Sequence, residues 1–147
     1  MNVRTILLVE DNPDDEELIL RSFSRGHILN DVFITRDGEE ALDYLFGSGK
    51  FTGRNLSLMP LMILLDLNLP KIGGLQVLDR IRREPSTALI PVVVLTSSSE
   101  EEDILSSYRL GANSYVRKPV EFQSFSEAVQ QVGLYCLLVN EPQPRQD

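Results

Sequence analysis

The chain has 147 residues, 42% of them hydrophobic and 24% charged, with a formal net charge of −8 from 22 acids against 14 bases. Such a surface repels nucleic acid and anionic membranes, and no apolar run approaches the ~20 residues a membrane helix needs, which argues against DNA binding by this chain and against a membrane span. A single cysteine, Cys136, excludes an internal disulfide and fits a reducing cytoplasm, while the absence of a His/Cys cluster points away from zinc.

Thr5 to Val9 is an apolar run that meets Glu10-Asp11 at once, so it reads as a buried strand with two carboxylates at its carboxyl end and not as a signal peptide. Asn12 reads as an N-cap and Pro13 as the first helical residue, with Asp14, Asp15, Glu16 and Glu17 complementing the positive end of the helix dipole. Leu18, Ile19 and Phe23 give that helix an apolar side, and Gly26 ends it. His27, the only histidine, reads as a surface loop residue. Val32 to Thr35 is a second strand. Asp37 caps a second helix, with Glu40 three residues on and Ala41, Leu42 and Leu45 as core positions. The connection from Gly47 to Pro60 far exceeds the usual ~4–6 residues. Its Lys50, Phe51 and Arg54 could touch a partner, although a solvated insertion is the commoner explanation.

Leu61 to Pro70, LMILLDLNLP, is apolar enough for a strand buried on both faces, as in a parallel sheet. Asp66 interrupts that run, and a charge is costly in a core, so its expected place is the carboxyl end of the strand. A third helix spans Gly74 to Arg83 with Val77, Leu78 and Ile81 inward. Pro91 opens a fourth strand ending at Thr96, Ser99 and Glu102 form a capping box for a fourth helix, and Gly111 closes that helix. Ser114 to Val116 is a short fifth strand, followed by Lys118-Pro119. The last helix starts near Glu121 and carries Phe122, Phe125, Val129, Val132 and Cys136 on one face, with Leu134 to Val139 apolar nearly all round. Five strands alternating with five helices imply a doubly wound α/β fold, a five-stranded parallel sheet of order 2-1-3-4-5. One domain, 1–140, is expected, with a flexible tail over 141–147.

The crevice of that order lies between strands one and three, which brings Glu10, Asp11 and Asp66 to one mouth. At an effective dielectric near 20, two charges ~4 Å apart repel by about 4 kcal/mol, some three pKa units. A cation among them, or partial protonation, is required. Hard oxygen ligands open to water favour magnesium. Thr96 and Lys118 add a hydroxyl and an ammonium at neighbouring strand ends, a set able to hold the oxygens of a phosphoryl group. Taken singly, each has a bland alternative: acids capping loops, a threonine bonded to backbone, a solvated lysine. Complementary chemistry at four strand ends is what the bland alternatives leave unexplained.

Glu10-Asp11, LLDLNLP around Asp66, VVVLTSS with Thr96 and GANSYVRKP with Lys118 resemble the signature set of response-regulator receiver domains of two-component systems. The resemblance implies a flavodoxin-like receiver fold in which Asp66 is the phosphoacceptor. It makes Asp11 a direct Mg2+ ligand, Glu10 a ligand through water and Asn68 the donor of a backbone carbonyl. Thr96 and Lys118 would bind phosphoryl oxygens, the rotamer of Tyr115 would follow Thr96, and Lys118-Pro119 would be cis, with Pro119 the cis-proline. Glu10 stands where many members have Asp, and Gly73 replaces a frequent acidic residue. The long loop, the wording EEDI–SY–LGANSYV–KPV and the extended last helix resemble stand-alone receivers paired with phytochrome-type histidine kinases. That implies a cytoplasmic phosphorylation switch, a sensor histidine kinase as partner, a downstream protein target and a homodimer through the last helix. Two rivals are an aspartate-nucleophile phosphatase and a non-phosphorylated receiver acting only as a binding module. The first wants its nucleophile on strand one with a second Asp two residues on, where this chain has Asn68.

Overall fold

The computed structural model describes residues 5–97 and 101–131. In chain order the elements are β1 (Thr5–Val9), α1 (Pro13–Arg25), β2 (Asp31–Thr35), α2 (Gly38–Phe46), β3 (Met62–Asp66), α3 (Gly74–Arg83), β4 (Val92–Thr96), α4 (Glu101–Arg109), β5 (Ser114–Arg117) and α5 (Phe122–Gln131). The strands form one parallel sheet in the order β2-β1-β3-β4-β5, as the alternation of the sequence implies. Ser99, Glu102's capping side chain, Val132, Cys136, the apolar segment 134–139 and the tail lie outside the described residues, so the capping box and the dimer face rest on the sequence alone.

Successive strand residues point to opposite faces of the sheet, and in a parallel sheet both faces need cover. Ile6, Leu8, Met62, Leu64, Val93 and Leu95 meet Ile19 and Phe23 of α1 and Phe125 and Val129 of α5. Leu7, Val9, Ile63, Leu65, Val92 and Val94 meet Leu42 and Leu45 of α2 and Val77, Leu78 and Ile81 of α3. Among the described residues the expected core positions are buried except Phe122, which is partly buried, and Leu18, which is 43% exposed because Ile19 and Phe23, four apart, already define the face that α1 turns to the sheet. Leu18 lies instead in the groove with Pro119 and Phe122.

Asn12 caps α1 as expected, its Oδ1 accepting from the Asp14 and Asp15 N–H groups. Gly26 does follow the last turn, but the left-handed residue is His27, at φ 58. Gly26 is needed for a different reason, since a Cβ there would stand 2.0 Å from the Phe122 ring of α5. At α2, Asp37 Oδ1 accepts from the Glu40 N–H, while the Glu40 carboxylate reaches one residue further back, to the Arg36 N–H.

The connection after α2 is largely exposed, yet it packs two of its side chains against the domain. A single 3-10 turn, Gly49–Phe51, seats Phe51 edge-on against Tyr44 and Phe33, which stack on each other at 4.3 Å. The Arg54 guanidinium lies 4.2 Å over Tyr44 and donates to the Tyr44 and Leu58 carbonyls. Lys50 pairs with Glu40. This segment covers Phe33 of β2 and Tyr44 of α2 with aromatic and cationic side chains, a tertiary role that its polar composition hides.

Two glycines position the loop after β3. A Cβ on Gly74 would lie 2.3 Å from the Asp66 carbonyl oxygen, and one on Gly38 would lie 2.1 Å from that of Ile72. Gly73 meets nothing within 4 Å, so that position has room for the acid found there in receivers. Gly74→Ala is therefore expected to destabilise by more than ~2 kcal/mol, while Gly73→Ala, at φ −67, is expected to be neutral or stabilising by up to ~1 kcal/mol. Urea unfolding of the two variants measures the difference.

Candidate functional site

The site is assembled at the carboxyl ends of the strands. The Glu10 N–H donates to the Thr35 carbonyl at 3.0 Å, extending the sheet ladder one residue past β1 and burying the Glu10 side chain completely. Asp11 follows it into solvent. Asp66 closes β3 and is 2% exposed, with Oδ1 accepting the Asn68 N–H at 3.1 Å and Oδ2 accepting from Lys118 Nζ at 3.0 Å. One oxygen from each of Glu10, Asp11 and Asp66 lies within 4.8 Å of the other two.

Thr96 ends β4 fully buried, and its carbonyl accepts the Lys118 N–H at 2.8 Å, which places Lys118 across the crevice from Asp66. The Lys118-Pro119 peptide is cis. Besides Asp66, Nζ lies 2.7 Å from Glu10 Oε1 and 2.9 Å from Asp15 Oδ2. Tyr115 shares a side-chain hydrogen bond with Thr96, which opposes the upward push that burial and the Asp103 charge give its phenol.

Residues 6–130 match the family model described as the response regulator receiver domain. The chain belongs to this family. Among curated relatives, the probable methanogenesis regulatory protein FilR2 of Methanothrix harundinacea is 42% identical, over 90% of this chain and 83% of its own length. Response regulator Rcp1 of Synechocystis is 38% identical, over 91% of this chain and 89% of its own length. Among solved structures, the bacteriophytochrome response regulator AtBRR superposes with a TM-score of 0.85 at 48% identity, covering 96% of this chain and 100% of that one. The Mn2+-bound form of Rcp1 superposes with a TM-score of 0.75 at 36% identity, covering 97% and 99%. This receiver is thus related along nearly its whole length to stand-alone, phytochrome-associated response regulators.

The charges of the receiver site do not balance. Glu10, Asp11, Asp15 and Asp66 are four acids around the single ammonium of Lys118. Burial pushes the Glu10 carboxyl up to about 7 from 4.5, Lys118 pulls it down, and Asp66 beside it pushes it up again. Burial alone would discharge Lys118, but the carboxylates of Glu10, Asp15 and Asp66 around it outweigh burial and hold its pKa above the ordinary value. The ammonium therefore stays charged, and the acid most removed from water, Glu10, carries the uncompensated cost. Glu10 Oε1 is buried without a hydrogen bond, and its 2.7 Å approach to Lys118 Nζ is an ion pair. An oxygen-only set with one orphaned buried acceptor fits a small divalent cation such as Mg2+.

Glu10, Asp11, Asp66 and Lys118 come together at the strand ends, Asn68 meets Asp66 through its N–H, Tyr115 meets Thr96, and one further residue joins them. Asp15 complements the helix dipole by its position in the first turn of α1, and its carboxylate also holds Lys118. Asp14, Glu16 and Glu17 beside it carry the same charge in the sequence, so nothing local singles Asp15 out.

With its folded pKa above 4.5, Glu10 takes up a proton on folding, so the stability it contributes is full below pH 4.5 and is lost as pH rises through about 7. Glu10→Gln is expected to lose less stability than the native chain between about pH 5 and pH 8, by at least about 1 kcal/mol. Urea unfolding at the two pH values without divalent metal checks this, and equal losses would contradict it.

Proposed function

We propose that this receiver is a single-domain, cytoplasmic phosphorylation switch that accepts a phosphoryl group on Asp66 from the phosphohistidine of a sensor histidine kinase. The observation that carries the assignment is the setting of Asp66, buried at the end of the central strand between the metal-competent carboxylates and Lys118. An Asp66 oxygen attacks phosphorus in line, a P–O bond forms as the P–N bond breaks, and the electron pair leaves on the imidazole nitrogen. Asp66 Oδ2 accepts a hydrogen bond from the Lys118 ammonium. The Asn68 N–H fixes Oδ1, so the carboxylate cannot rotate away from the mouth.

Glu10, Asp11 and Asp66, with the Asn68 carbonyl, would hold Mg2+. The ion, when bound, neutralises charge on the transferring phosphoryl oxygens. Thr96 and Lys118 supply the hydroxyl and ammonium that bind those oxygens afterwards. With the Thr96 hydroxyl so engaged, its bond to Tyr115 is exchanged and the α4–β5 surface changes, altering the binding of a downstream protein. The likeness to AtBRR and Rcp1 supports a kinase of the phytochrome type.

Incubation with a small acyl phosphate and Mg2+, followed by intact mass measurement, tests the assignment. The native chain should gain one phosphoryl group and Asp66→Asn none; an undiminished adduct in the variant would sink it. Calorimetric titration should show Asp11→Ala losing more Mg2+ affinity than Glu10→Ala, since an outer-shell ligand is worth roughly 10–100-fold and a direct one more. Equal losses would reverse the ligand assignment.

A further inference from the structure

We infer that Asp15 is a positioning residue for phosphoryl transfer, the dedicated counter-charge that holds the Lys118 ammonium over the site while its other partners are taken up by the chemistry. This rests on Asp66 being the phosphoacceptor. Lys118 has three donor hydrogens, and three carboxylates face it: Glu10 at 2.7 Å, Asp15 at 2.9 Å and Asp66 at 3.0 Å. Two of the three have a second task. Glu10 and Asp66 belong to the group of oxygens that converge within 4.8 Å and suit a cation, and Asp15 does not.

The division has a consequence for the order of events. A divalent ion held by Glu10 and Asp66 would weaken their hold on the ammonium, and an acyl phosphate at Asp66 would remove its carboxylate charge. Asp15 then remains as the acid bonded to Nζ that neither metal nor phosphoryl group claims. Its Oδ2 accepts from Nζ within hydrogen-bond distance, and it reaches the crevice from α1, whereas Lys118 arrives from the end of β5. The helix start that carries it is fixed by the Asn12 cap, whose Oδ1 binds the N–H of Asp15 itself at 3.3 Å. A lysine with four rotatable bonds is thereby held from two sides, and the entropy of ordering it is spent before the phosphodonor arrives. The pair is accessible enough, with the Asp15 side chain 27% exposed, to let the ammonium swing from Asp66 to a phosphoryl oxygen without losing its tether.

The test is a double-mutant cycle on the rate constant of phosphorylation by a small acyl phosphate at saturating Mg2+, followed by intact mass. Asp15→Ala is expected to slow transfer roughly three- to tenfold, the scale of one charge-assisted hydrogen bond at a partly exposed site. Asp15→Glu should recover part of the loss. In a Lys118→Ala background, Asp15→Ala should change the rate by less than about twofold, because the group it positions is gone. A loss that persists undiminished without Lys118 would overturn the inference and leave only a helix-cap or dipole effect. An unchanged rate in Asp15→Ala would overturn it as well. Urea unfolding of each variant separates slow transfer from poor folding. If the native chain takes up no phosphoryl group at Asp66, it is the phosphoacceptor assignment that has failed.

Discussion

Everything at the carboxyl edge of this sheet is organised by one ammonium facing too many carboxylates. A parallel sheet of apolar strands can keep acids only where the strands end, and two strands of this one, β1 and β3, bring theirs within reach of a single point. Lys118 enters that point from the last strand and compensates one of four negative charges. The remainder is what makes the site receptive to a small cation and what leaves Glu10 poised near neutrality. A fully balanced cluster would be more stable and would have no use for a metal or a phosphoryl group.

The surrounding structure exists to hold these charges at close range. Glycine at position 74 lets α3 begin against the backbone of Asp66, and glycine at 38 lets the following loop lie on α2. Both sites trade conformational entropy for proximity. The packing on the two faces is ordinary, and its importance lies in rigidity: strand ends embedded in a close-packed core cannot drift apart to relieve their mutual repulsion.

Architecture and most of the site were legible in the sequence because they depend on local signals. Strand runs, the Asn12 cap, Pro13, and the acids standing at strand ends need only periodicity and polarity to be read, and the order of strands then brings Glu10, Asp11, Asp66, Thr96 and Lys118 together. What escaped was tertiary. Phe51 and Arg54 sit in a polar, glycine-containing segment and find their partners, Phe33 and Tyr44, on other elements. Gly26 looked like a helix stop by composition, whereas a ring from the far end of the chain decides it. Asp15 stood in a row of four acids, and only the fold distinguishes the one that turns toward Lys118.

Arg82, at the end of α3, has a bearing on movement. Its guanidinium, its pKa lowered by burial, donates to the Gly111, Ala88 and Ile90 carbonyls and to Asn113 Oδ1, and that same oxygen receives the Val92 N–H. Gly111, at φ 99, has no Cβ to obstruct it. One planar cation thus rivets the end of α3, the start of β4 and the turn that leads from α4 into β5. The rivet sits at the opposite end of the sheet from the carboxylates. The corner that follows α4 is thereby tied to the sheet, so a displacement begun near Thr96 would have to pivot the helix about Gly111 and would turn a small event at the strand ends into an angular change along the helix.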